Sequence, residues 1–133
     1  MAINNALRDA PKLLTTLGPA ARTSSATGST IDLATYRFPT VHALVGTITD
    51  GTHVLDVEEA DDDGTGTPDT WADVAAADLL GAFATLASDV NQSVTYLGKK
   101  RFLRVNVTVT GGPATGGVYA VGVQPAMPAV HDV

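Results

Sequence analysis

At 133 residues the chain has the length of one domain with a modest core, and its 8 lysines and arginines against 14 acids give a formal net charge of −6. That balance excludes a surface built broadly to neutralise nucleic-acid phosphates, and the absence of cysteine excludes disulfides and thiolate sites. No run reaches the roughly 20 apolar residues of a membrane helix and no signal-peptide core is present, so a soluble protein made in the cytoplasm is expected, with neither nucleic acid nor membrane as partner.

Residues 1–30 differ from the rest. Leu7, Leu13, Leu14 and Leu17 have helical spacing, but Pro11 interrupts them and small residues follow, GPAARTSSATGST. The segment is expected to be an extended arm ordered by contact with a neighbour, with a structureless tail as the alternative. The domain proper is expected over 31–124. Ile31-Asp32-Leu33 begins it, and Tyr36-Arg37-Phe38-Pro39 stops the first strand at an edge or bend. VHALVGTIT, Val41 to Thr49, is β-prone and apolar on both faces, as in a strand buried inside a sandwich. Asp50-Gly51 predicts a hairpin joining it to His53–Glu59, where Leu55 and Val57 share one face and Val54, Asp56 and Glu58 the other.

An acidic, glycine-rich turn, Asp61 to Pro68, follows, and Trp71 and Val74 then supply apolar groups to close over the inner face of a central hairpin. Leu79, Phe83, Leu86 and Val90 recur at helical spacing among alanines, predicting one short helical segment near Ala75–Leu80 whose apolar residues cap one end of the domain. Ser93–Leu97 is the next strand, and Gly98-Lys99 makes a tight turn into Arg101–Thr110, where Leu103, Val105, Val107 and Val109 alternate with polar residues. After a GGPATGG loop, Val118–Val123 is the last strand, with Tyr119, Val121 and Val123 on one face, and 125–133 is an extended tail with two prolines. These elements predict an all-β, antiparallel jelly-roll-like β-sandwich.

Three groups of side chains are candidates for chemistry. Asp61, Asp62, Asp63 and Asp69 supply oxygens on a flexible turn and are a calcium candidate, although their spacing is not that of an EF-hand and a solvated loop that protects an edge strand is the simpler account. His42 and His53 are nearly symmetric about the Asp50-Gly51 turn and could face each other across it, but neither they nor His131 have paired metal-ligand spacing. No Gly-x-Ser-x-Gly elbow occurs, which argues against an enzyme, and no cofactor is indicated. Lys99, Lys100, Arg101 and Arg104 hold half of the positive charge within six positions, which suggests either a solvated hairpin end or a docking patch for an acidic surface, the acidic loop of a second copy being one version.

The succession ATYRFPTVHALVGTITDGTHVLDVEEADDDGTGTPDTWADVAAADLLG, SVTYLGKKRFLRVNVTVTGG and GGVYAVGVQPAMP, together with the start MAINNALRD, resembles the small virion proteins of tailed bacteriophages over about residues 1–128. Its most specific pieces are the acidic turn followed by an aromatic and the Tyr96–Val105 hairpin. The resemblance implies a capsid decoration or cement protein on the head surface of the virion, with the major capsid protein as partner and a homo-oligomer, a trimer in the first instance, as its state. Leu7, Leu13 and Leu14 of the arm, with Lys99, Lys100, Arg101 and Arg104, are our candidates for partner contact. Other readings are a tail or connector component and, since VEEADDDGTGTPDTW also resembles hairpins of carbohydrate-binding sandwiches, a glycan-binding module; one tryptophan and three tyrosines offer few sugar platforms, and Trp71 is expected in the core.

Overall fold

Apolar residues at period two must all find a dry face, and two sheets packed together provide it. The computed structural model describes residues 12–125. The strands are β1 (Leu14–Arg22), β2 (Ala26–Thr27), β3 (Ile31–Asp32), β4 (Thr40–Ile48), β5 (Thr52–Ala60), β6 (Ala72–Asp73), β7 (Leu79–Leu80), β8 (Gln92–Tyr96), β9 (Phe102–Thr110) and β10 (Gly117–Gln124). The first sheet has the order β1-β10-β4-β8-β7 and the second β2-β9-β5-β6, with β3 also on β9. The chain is thus an all-β, antiparallel sandwich.

The core lies between the sheets. Val41, Ala43 and Val45 of β4, with Tyr119, Val121 and Val123 of β10, meet Leu55 and Val57 of β5 and Leu103, Val105 and Val107 of β9. The expected alternation in β5, β9 and β10 is therefore observed. In β4 only one face is buried, since Leu44 on the other is 51% exposed.

Three expectations are corrected. The first strand is β1, not the segment at Ile31: residues 14–22, placed in an arm above, pair with β10 from Leu14↔Val123 to Arg22↔Gly117. Register shifts between Thr15 and Leu17 and between Leu17 and Ala20 break the alternation that would have revealed it. Pro19 is tolerated because β1 is an edge strand. Of the arm contacts proposed above, Leu14 packs against the core, Leu13 is exposed and Leu7 lies outside the described residues.

Second, Asp50-Gly51 and the 97–101 turn make no hairpins. β4 and β8 belong to the first sheet and β5 and β9 to the second, so each turn arches across the sandwich. Both strands flanking such an arch have one buried face, just as in a hairpin, and pattern alone does not separate the two. Third, the helical segment is a single 3-10 turn, Ala76–Asp78, followed directly by β7. Gly81 at φ 97° ends any helical path. Leu86 is in the core with Leu79 and Phe83 packed against it, whereas Val90 is 51% exposed.

The arch at Asp50 is sewn to the β9–β10 loop. The Asp50 carboxylate accepts hydrogen bonds from the amides of Ala114 (2.9 Å), Thr115 (3.2 Å) and Gly116 (2.5 Å), and these bonds hold its pKa below the ordinary value, that of Gly116 most strongly. His53, fully buried on β5, donates from Nε2 to the Asp50 carbonyl (3.0 Å), leaving Nδ1 to accept from the Tyr119 hydroxyl (2.8 Å). His53 and Tyr119 thus join the two sheets through one polar contact inside an apolar core. Tyr119→Phe keeps the ring but leaves the Nδ1 acceptor unsatisfied, so urea denaturation should show a loss of ~1–3 kcal/mol. An unchanged midpoint would mean that water replaces the hydroxyl.

Candidate functional site

Opposite the sewn end, the start of β4, the end of β5, the end of β8 and the start of β9 converge, because antiparallel registers align Thr40 with Thr95 and Ala60 with Phe102. The acidic turn, the 97–101 arch and the segment 33–39 therefore meet. Most of the chain's clustered charge sits here, and it is largely paired in place.

Lys100 Nζ lies 2.5 Å from Asp61 Oδ2. Arg101 makes two 3.0 Å bonds to Asp32, to Oδ1 from Nε and to Oδ2 from a terminal nitrogen, and reaches Asp62 at 3.7 Å. The Arg101 guanidinium holds the Asp32 carboxyl below the usual range. Tyr96, buried at the root of the arch, donates to Glu59 Oε1 (2.6 Å) and accepts from the Lys100 amide (3.1 Å). Its phenol is pushed up first by burial and then by the Glu59 hydrogen bond. The docking patch expected from Lys99, Lys100, Arg101 and Arg104 is thus dispersed. Lys100 and Arg101 are neutralised within the chain, and Arg104 projects from the outer face of the second sheet, 2.7 Å from Glu58 and 4.1 Å over the Trp71 ring.

Trp71 is accordingly half-buried beneath a guanidinium and does not join the core, while Val74 does. The same outer face carries Asp56 and Asp73 on neighbouring strands. Desolvation, and then the charges of Asp73 and Glu58, push the Asp56 pKa up.

The acidic turn is organised by its own backbone. Asp63 Oδ1 accepts from the Thr65 amide (2.8 Å) and hydroxyl (2.6 Å), which hold its pKa down, and Asp62 Oδ1 accepts from the Gly66 amide (2.7 Å). Among the described residues no three or more histidine, aspartate or glutamate side chains converge on a metal position, Asp61, Asp62, Asp63 and Asp69 included. His42 and His53 do not face each other. His42 bonds Ser93 Oγ (2.7 Å) and Gln124 Oε1 (3.1 Å) on the first sheet, whereas His53 is internal; His131 lies outside the described residues.

The feature not anticipated is a cleft of about 600 Å³ between segments 33–39 and 96–101. Leu33, Pro39 and Tyr96 are buried around it, and Arg37, Phe38 and Lys99 stand at its rim. Phe38 is 55% exposed with φ 54°, a left-handed backbone that costs a side-chain-bearing residue roughly 1–2 kcal/mol. The words Tyr36-Arg37-Phe38-Pro39 signalled a bend, but nothing in them marks the positive φ. Compared with known protein families, curated proteins and solved structures, the chain gives no match.

Two outcomes follow from these charges. Asp32, Asp50 and Asp63 have folded pKa values below the unfolded one of about 3.9, so their stabilisation is present above that pH and is lost as pH falls. Asp56 has the opposite sign, because its raised pKa makes the charged form a cost at neutral pH. Asp56→Asn should therefore raise the melting temperature at neutral pH and leave it unchanged near about pH 3, where both forms are uncharged; a lower melting temperature at neutral pH would contradict the repulsion. Added calcium should not move the wild-type melting curve, and a rise reversed by chelator would restore the metal reading of the turn.

Proposed function

We propose that this chain is a structural protein of a tailed-bacteriophage particle, a capsid decoration or cement protein that binds the outside of the head and strengthens contacts between subunits of the major capsid protein. The observation that carries this reading is the strand order. With β2 and β3 counted as one position and the two-residue β7 as an extra edge strand beside β8, the order β1-β10-β4-β8 facing β2/β3-β9-β5-β6 supports a reading as two interlocked Greek keys, a jelly roll. Jelly rolls serve in viral capsid and lectin domains. Fold alone does not select a function, and the sequence resemblance supplies the direction. The mechanism is physical: each copy that buries surface on two or more subunits adds contacts that must break before the shell opens. A homo-oligomer, a trimer first, fits this role.

A glycan-binding module is the second reading, favoured by the exposed Phe38 beside Tyr36 at the end cleft. Trp71 adds nothing to it, since Arg104 covers its ring. A tail or connector component would use the same fold.

Quantitative peptide mass spectrometry of particles purified from a producing culture should find this chain at a large ratio to the major capsid protein set by icosahedral positions. A few copies per particle would point to tail or connector, and its absence from particles would overturn the reading.

A further inference from the structure

The end cleft reverses the character of the molecule. The chain carries a net charge of −6, yet the exposed rim of this apolar slot presents Arg37 and Lys99, neither of which makes an ion pair with a described residue. Their neighbours Lys100 and Arg101 are already neutralised, so the two rim cations are what a ligand would meet. Phe38, which lines the same cleft, is held in a left-handed backbone conformation and is 55% exposed. Strained residues of this kind cluster at ligand clamps and other functional sites.

From this we infer that the cleft is the docking site for an acidic, extended segment of a partner protein. Its apolar side chain enters the slot against Phe38, and its carboxylates pair with Arg37 and Lys99. The inference rests on the virion reading above, under which the segment belongs to a capsid subunit. Charge complementarity selects this occupant: a neutral glycan would leave both cations unanswered. A second copy is poorly suited, because Asp61 and Asp62 of its acidic turn are bound to Lys100 and Arg101, and Asp63 to its own loop.

The test uses particles from a phage lacking this gene and the purified full-length chain, with binding measured by co-sedimentation over a range of salt. Arg37→Ala/Lys99→Ala should weaken binding by about tenfold or more, and added salt should weaken wild type more than this variant. Phe38→Gly relieves the positive φ, so it should weaken binding while the melting temperature does not fall. Ala82→Glu/Ala87→Glu, which changes net charge equally at exposed sites away from the cleft, should bind as wild type. If wild type binds and the first two variants bind as well as it does, the cleft proposal fails and the virion reading stands. If wild type does not bind, both fail. Glycan-array binding lost in Arg37→Ala/Lys99→Ala, without particle binding, would assign the cleft to carbohydrate and overturn the proposal.

Discussion

The sandwich depends on arches that carry the chain from one sheet to the other, and the one at Asp50 is fastened to both the neighbouring loop and the core. A turn that crosses between sheets has no ladder partner of its own, so its backbone groups and those of the loop beside it need other acceptors. Asp50 provides them by gathering the amides of Ala114, Thr115 and Gly116, while Thr49 donates its amide to the Gly116 carbonyl. His53 and Tyr119 continue the same connection into the core, where no buried side-chain polar atom of the described residues lacks a partner. Glycines make the approach possible: a Cβ on Gly116 would meet the Arg22 carbonyl oxygen at 1.8 Å, and one on Gly51 would meet Pro113 at 2.8 Å.

With one end sewn by hydrogen bonds to the Asp50 carboxylate and to buried His53, the clustered lysines and arginines and their acid partners lie at the other. Its cations and acids come from distant parts of the chain and are brought together only by the strand register. Asp32 meets Arg101 because β3 lies on β9, and Asp61 meets Lys100 because β5 ends beside the start of β9. Pairs this exposed contribute little stability each. Their larger consequence is to remove most of the positive charge from that end, leaving Arg37 and Lys99 beside the exposed Phe38.

Much of the fold was legible from period-two alternation. Leu103, Val105 and Val107, and Tyr119, Val121 and Val123, face the core as their spacing requires. What alternation does not carry is which sheet a strand joins, so Asp50-Gly51 reads as a hairpin although its real partners lie about 65 residues along the chain. β1 was hidden because its bulges and Pro19 break the period. The candidate site was legible only as ingredients: the cluster Lys99–Arg104 stood out, but which cations would be neutralised depended on Asp32, Glu58, Asp61 and Asp62 arriving from elsewhere. Phe38 gave no signal, since a positive φ at a bulky residue is imposed by its surroundings.

The most direct measurement is a cryo-electron microscopy reconstruction of particles from a producing culture, at a resolution that traces side chains. The sandwich is expected on the outside of the head, with the end formed by residues 33–39 and 96–101 against the shell and an acidic capsid segment beside Arg37 and Lys99. A sandwich confined to the tail, or one on the head with that end turned to solvent, would contradict the docking account.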